Sequence, residues 1–200
     1  MHFIPGEFYH VYNRGNNRQR IFFHDDNYLF FLKKISGQLK PVSEIIAYCL
    51  MPNHFHILVQ ATASSIKERQ TFGGKPMQDL AYRIGVLLSS YCQAINKQNK
   101  TTGSLFQQKT KAKILNEENN TSGISYLEQC FCYIHQNPLV AGLVTSLSDW
   151  PYSSYLDYAG LRNDSLCRKE IFFNHTGFQQ EDIVKICSAK MEEKLIDKLF

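Results

Sequence analysis

The stretch Glu44-Ile45-Ile46-Ala47-Tyr48-Cys49-Leu50-Met51-Pro52-Asn53-His54-Phe55-His56-Ile57-Leu58-Val59-Gln60 reads as two β-strands, 44–50 and 54–60, joined by Met51-Pro52-Asn53. β-branched and aromatic residues fill both runs and the connection is short and turn-prone, so an antiparallel hairpin is expected. Towards the N-terminus, Phe8-Tyr9-His10-Val11-Tyr12 is a further β-rich run, ending in the turn formers Asn13-Arg14-Gly15-Asn16-Asn17. Asp25 or Asp26 then caps a helix carrying Tyr28, Phe31, Leu32 and Ile35 at i, i+3, i+4, i+7 spacing, and Pro41 closes it. Beyond the hairpin, residues 61–76 read as a surface loop, followed by Leu80, Ile84, Leu87, Leu88 and Tyr91 at helical spacing and by a strand over 106–115. The order β-α-β-β-α-β predicts an α+β, ferredoxin-like fold: an antiparallel sheet with two helices on one face and the other face free for a site. A third helix is expected over 124–135. From about Trp150 a partly helical tail follows, in which Cys187, Met191, Leu195 and Leu199 share one face. The domain reading is a main domain over 1–158 and a C-terminal helical extension over 159–200.

The chain's 200 residues bound it to one substantial core with a small addition, and 44% hydrophobic with 20% charged residues is ordinary globular composition. No apolar run approaches the ~20 residues of a membrane span, and Met1-His2-Phe3-Ile4-Pro5 lacks the features of a secretory signal, so a cytoplasmic protein with no membrane partner is expected. The six cysteines read as buried thiols. Cys130 and Cys132, followed by His135, suggest a metal clip, but side chains two apart on a helix point to nearly opposite sides, which argues against zinc there. A net charge of +4 tolerates a nucleic-acid partner without requiring one.

Three groups of residues carry chemistry. His54 and His56 alternate with Phe55, so on a strand both imidazoles leave one face and could grip a divalent cation; a purely structural or exposed pair fits the same pattern. Tyr133 and Asn137 lie one turn apart on the expected third helix, away from the apolar stripe of Ile124, Leu127, Phe131 and Ile134. Tyr133 is either a surface residue with a wet hydroxyl or a phenolic nucleophile for phosphorus, with the Asn137 amide oxygen completing a metal site. Tyr126, two turns earlier on nearly the same face, is equally placed by geometry. Pro138 disfavours helical geometry at Asn137 and is expected to set it at a helix end or kink. In Gln107-Gln108-Lys109-Thr110-Lys111-Ala112-Lys113-Ile114 the lysines Lys109, Lys111 and Lys113 share one strand face, which suits a phosphate backbone or simply guards a sheet edge. Arg14, Arg18 and Arg20 offer further phosphate contacts, while Tyr9, Tyr12 and Phe22 could stack on bases or belong to the core.

Taken in order, these segments resemble the single-tyrosine HUH transposases and, within them, the REP-associated tyrosine transposase branch. The resemblance rests on Tyr9-His10-Val11-Tyr12-Asn13-Arg14-Gly15, Met51-Pro52-Asn53-His54-Phe55-His56-Ile57-Leu58 and Gly103-Ser104-Leu105-Phe106-Gln107. It continues through Tyr133-Ile134-His135-Gln136-Asn137-Pro138, Ala141-Gly142-Leu143-Val144 and Trp150-Pro151-Tyr152-Ser153-Ser154-Tyr155, covering about residues 8–158. It implies cleavage and rejoining of single-stranded DNA beside a REP-like or transposon-end hairpin, through a 5′-phosphotyrosine link. Tyr133, rather than Tyr126, would be the nucleophile, and His54, His56 and Asn137 would hold Mg²⁺ or Mn²⁺. Asparagine as third ligand favours the REP-associated branch, and the assembly would be a monomer or homodimer. The resemblance assigns no role to His135 or Gln136. Competing readings are a non-catalytic ferredoxin-like nucleic-acid-binding module, a metal-dependent nuclease or phosphatase without covalent capture, and a host-retained descendant of a transposase.

Overall fold

A computed structural model of the protein describes residues 1–71, 74–115 and 125–189. The hairpin at its centre pairs β2 (Ser43–Met51) with β3 (His54–Ala61), Met51 facing His54 across a turn of Pro52 and Asn53. The Pro52 carbonyl accepts from the Ile21 and Phe22 N–H groups, and the Asn53 carbonyl from that of Gly15, so the turn is tied to the segment after β1 (Phe8–Arg14). A two-stranded ribbon pairs β4 (Glu68–Arg69), within the stretch expected to be loop, with β5 (Met77–Gln78), just beyond it. With β6 (Lys111–Ile114) the main sheet is antiparallel in the order β2-β3-β1-β6. This is the expected ferredoxin-like topology.

The helices divide between the two faces. Phe55 points towards α1 (Asp25–Gln38), its ring 5.2 Å from that of Phe31, and Phe31 meets Tyr91 of α2 (Asp79–Asn99) at 4.9 Å. The other face is not left free: α3 (Tyr126–Val140) lies across β2 and β3 there. That explains the sequence of β2, whose residues Ile45 to Met51 are all buried, because a strand covered on both faces reads as a continuous apolar run instead of alternating.

Several local expectations are corrected. The N-cap of α1 is His24, with Asp25 and Asp26 inside the first turn, where their charges oppose the positive end of the helix dipole. The expected strand over 106–115 survives only as β6 and an isolated bridge between Phe106 and Gly15. The intervening residues leave the ladder because the Asn13 side chain donates to the Gln107 carbonyl at 3.1 Å and to the Thr110 hydroxyl at 2.9 Å. Lys109 therefore stands outside the strand. Tyr9 and Phe22 are core residues, while Tyr12 is half-buried. All six cysteines are free, four of them buried.

The tail packs on the same core through α4 (Tyr155–Tyr158), α5 (Lys169–Thr176) and α6 (Ile183–Ser188), with Phe172 stacked 3.9 Å from Phe131 of α3. Arg162 pairs with the buried Asp157 at 2.6 Å and donates to the Tyr48 hydroxyl at 2.8 Å, and the Tyr158 hydroxyl donates to the Ile46 carbonyl at 2.7 Å. The segment before α4 protects the outer edge of β2: Leu50 N–H donates to the Tyr152 carbonyl and Ser154 N–H to the Tyr48 carbonyl. Cys187 is buried as expected; Met191, Leu195 and Leu199 lie outside the described residues, as does Ile124.

His135 locks α3 to that edge. The Ser154 hydroxyl accepts from the Tyr48 N–H at 2.9 Å and donates to the Tyr48 carbonyl, so the His135 Nε2 at 2.8 Å is its second donor. Burial pushes the His135 pKa down to about 3. The unfolded chain takes up a proton near the ordinary value of about 6.5 that the folded chain refuses, so stability is intact above that pH and is lost as pH falls towards the folded value. The urea midpoint is expected to drop between about pH 6.5 and pH 5, and His135→Gln, which keeps a donor but does not titrate, should drop less steeply. Equal slopes in the two proteins would remove His135 from the acid response.

Candidate metal and nucleic-acid site

Three adjacent strands build one surface. His54 and His56 leave β3 on the α3 side, their ring centroids 4.9 Å apart and nearly perpendicular. On β1, Tyr12 faces His56 and Arg14 faces His54; on β6, Lys111 faces Tyr12 and Lys113 faces His10. Because facing residues share a side of the sheet, all of these lie on one face. A cleft of about 350 Å³ opens where α3 does not cover it, lined by Tyr12, Asn13, Arg14, His54, His56, Gln107, Lys109 and Lys111. Every formally charged side chain in that lining is cationic. Lys109 reaches the cleft from the irregular segment before β6, whereas the half-buried Lys113 is absent from the lining. Arg18 and Arg20 are exposed in the segment after β1 and do not line it.

Helix α3 delivers the remaining residues. Its start is capped by the Ser125 hydroxyl, which accepts from the Glu128 N–H. It continues through Asn137 and Pro138 to Val140, so Asn137 lies in the last turn, directly before a proline inside the helix. Pro138 forgoes one hydrogen bond near the C-terminus, and the end is closed by Ala141 N–H donating to the Asn137 carbonyl and Leu143 N–H to the Pro138 carbonyl. The Asn137 amide nitrogen donates to the Tyr133 carbonyl at 3.0 Å, which turns its Oδ1 outwards. That oxygen lies 3.4 Å from His54 Nε2 and receives the Tyr133 hydroxyl at 3.5 Å. The ring of Tyr133 stands 5.4 Å from that of His56 and 6.3 Å from that of His10. Tyr126 opens the helix, packed against the core.

The donor set fits a cation. His54 Nδ1 lies 2.6 Å from Asn53 Oδ1, a distance that requires a proton on Nδ1 and so leaves the lone pair on Nε2. That lone pair and the Asn137 carbonyl oxygen then face one another at 3.4 Å, two acceptors aimed at common ground. Neighbouring ligands of a divalent ion bound at ~2.1 Å stand about 3.0–3.4 Å apart, which matches. Burial lowers the His54 pKa to about 4, with Arg14 adding to the effect and Asn137 opposing it. Burial likewise holds His56 well below its ordinary value, aided by His10, His54 and Arg14. Both imidazoles are thus neutral, the form that ligates metal. Among the described residues no cluster of three His, Cys, Asp or Glu side chains forms a metal cage, so the set depends on the amide oxygen as its third donor. Burial pushes the Tyr133 phenol up to about 12 against the lowering effects of Asn137 and Arg14.

Some participants were not singled out from the sequence. His10 is fully buried and bonds His56, and Asn13 and Gln107 shape the cleft wall. Asn13 and Gln107 read there as turn and strand polar residues, and only the odd placement of a histidine in an apolar run signalled His10. Gln136, given no role, donates to the Cys187 and Ala189 carbonyls at 2.7 and 2.9 Å and so fastens α6 to α3.

No protein-family model matches the chain. A curated relative from Haemophilus influenzae, named "Putative REP-associated tyrosine transposase", is 25% identical over 121 residues, spanning 56% of this chain and 58% of that protein. The chain thus matches somewhat more than half the length of that relative. A solved REP-associated tyrosine transposase bound to a REP hairpin superposes with a TM-score of 0.56 at 16% identity, covering 84% of this chain and 94% of that one. No helix among the described residues is long and apolar enough to cross a membrane. The sequence relative and the structural neighbour both carry the family name that the ordered motifs of this chain resemble, and the fold is shared.

Proposed function

We propose that the chain is a metal-dependent, single-tyrosine DNA strand transferase of the REP-associated kind, cutting and rejoining single-stranded DNA next to a hairpin. The observation that carries this reading is the meeting of the Tyr133 hydroxyl, Asn137 Oδ1 and His54 Nε2 within successive separations of 3.5 and 3.4 Å. The curated relative and the hairpin-bound neighbour favour the same substrate class. A binding module would have no use for that convergence.

His54, His56 and Asn137 would hold the ion, Mg²⁺ or Mn²⁺, which when bound polarises the scissile phosphate and offsets charge developing on it. Arg14, Lys109 and Lys111 bind the phosphate backbone along the cleft, and Arg18 and Arg20 extend the contact outside it. Lys113, half-buried beside them, adds to the field. Tyr133 is protonated at neutral pH, so its proton must leave as the phenolic oxygen attacks phosphorus. The new bond is Tyr133 Oη–P and the bond broken is P–O3′. The 3′-oxygen departs as a hydroxyl, and the 5′-phosphate remains on the protein. Attack by a 3′-hydroxyl reverses these bonds and frees the tyrosine. Until that proton leaves, the hydrogen bond from the Tyr133 hydroxyl to Asn137 Oδ1 holds the phenol beside the ion's position.

A hairpin DNA labelled on the 3′ side of the cut should migrate with the protein on a denaturing gel only when Mn²⁺ or Mg²⁺ is added. Tyr133→Phe should abolish that band and Tyr126→Phe should retain it; an adduct in Tyr133→Phe would reassign the nucleophile. Since one chain supplies both the phenol and the imidazoles, mixing Tyr133→Phe with His54→Ala/His56→Ala should restore no activity. Recovery in the mixture would instead mean exchange of α3 between subunits. Replacing Lys109, Lys111 and Lys113 with Ala should weaken DNA binding and flatten its dependence on log salt by up to about 2, at ~0.7 per single-strand phosphate contact. An unaltered slope would leave the lysines as guards of the sheet edge.

A further inference from the structure

His10 is polar, fully buried and placed in the middle of an apolar strand. Its backbone faces Leu58, so it meets His56 diagonally across the β1–β3 pair. His10 Nε2 lies 2.8 Å from His56 Nδ1, and the rings are within 27° of parallel at 5.0 Å. At that distance one proton sits between the two nitrogens, and its side decides what His56 can do. With the proton on His56 Nδ1, the lone pair of His56 is on Nε2. With the proton on His10 Nε2, the lone pair of His56 is spent on the bond to His10.

His54 solves the same problem differently: its Nδ1 proton goes to Asn53 Oδ1 at 2.6 Å. Metal-ligating histidines depend on such partners for their ring orientation and tautomer. An imidazole in that position is an unusual choice, since it can itself be donor or acceptor. Unlike a carboxylate, it accepts the proton without adding a negative charge behind a cleft whose cationic lining suits a phosphate backbone.

We infer that His10 is a positioning residue that accepts the His56 Nδ1 proton and so holds His56 in the tautomer whose Nε2 can ligate the ion. The inference rests on the reading of His54, His56 and Asn137 as a metal site. His10 touches neither DNA nor the ion in this role. It acts through His56.

The test uses the full chain without DNA. Long-range ¹H–¹⁵N correlation spectra of histidine-labelled protein report which ring nitrogen of His56 carries the proton, before any metal is added. Wild type should show the Nδ1-protonated form, with Nε2 unprotonated. His10→Leu should lose that single form, whereas His10→Gln, whose side-chain oxygen falls near the place of Nε2, should keep it. Titration with Mn²⁺ followed by calorimetry should show a loss of ~10–100-fold in affinity for His10→Leu and about wild-type affinity for His10→Gln. If His10→Leu does not fold, His10→Asn decides, since it keeps an amide too short to reach His56. Loss in Asn with retention in Gln supports the role, and equal affinities in Asn and Gln overturn it. An Nε2-protonated His56 in wild type would overturn it as well, as would wild-type Mn²⁺ affinity in a folded His10→Leu. His54→Ala separates the two levels: if it binds Mn²⁺ as wild type does, the metal site itself is wrong, whereas if it alone loses binding, only the role of His10 falls.

Discussion

Everything at the site depends on how α3 lies on the sheet. Its last two turns send consecutive side chains to different tasks. Tyr133 and Asn137 face the imidazoles, and Ile134 fills the core. His135 grips the Ser154 hydroxyl at the edge of β2, and Gln136 holds the carbonyls at the end of α6. A helix turns about 100° per residue, so fixing any three of these directions fixes the fourth. The phenol's own hydrogen bond, to Asn137, stays within α3, so the helix as a whole decides where the phenol stands. It is placed by a core isoleucine, a buried histidine and a buried glutamine, all of which hold the helix against rotation. This also gives the tail a physical purpose: Phe172, Arg162 and α6 brace the helix and the strand edge on which the tyrosine depends.

Much of this was legible because the signals are local. The alternation of His54, Phe55 and His56 fixes the face of each ring, and it placed Phe55 on the helix layer and the histidines opposite. The i, i+4 spacing of Tyr133 and Asn137 put hydroxyl and amide on one side, as observed. What was not legible depends on side-chain bonds between distant segments. Asn13 breaks the strand before β6 by capturing Gln107 and Thr110, over 90 residues away in sequence, and no period in the lysine run reports that. The run Phe8-Tyr9-His10-Val11-Tyr12 likewise reads as a strand without reporting that His10 bonds His56, 46 positions on. Pro138 is accommodated inside the last turn of α3, a local preference of the preceding residue being outweighed by packing of the whole helix.

The face expected to be open is half covered, and the covering has electrostatic consequences. Burial under α3 strips water from His54, His56 and Tyr133, holding the imidazoles neutral and the phenol protonated. Neutral donors are the right state for ligation, but a protonated phenol is the wrong state for attack. If the proposed roles hold, one environment would favour assembly of the metal site and oppose premature nucleophilicity, so that activation would come from what binds next.

The charge balance says what that is. Two imidazoles and an amide oxygen contribute no negative charge, and the cleft beside them adds Arg14, Lys109 and Lys111. A divalent ion held only by neutral ligands near three cations is poorly compensated, and hard ions such as Mg²⁺ prefer anionic oxygen. The missing negative charge is what a phosphodiester carries. On the proposed reading its oxygens would complete the coordination and satisfy the cationic wall together, so that ion and backbone would each make the site better for the other. The same coupling would address the tyrosine: an ion and a bound phosphate arriving together would bring concentrated positive charge next to a buried phenol, the condition under which its proton is most easily lost. On that reading a site lacking carboxylates would not be an impoverished metal site. On the proposed reading, the substrate would supply the last ligand and, with it, the switch that makes Tyr133 reactive.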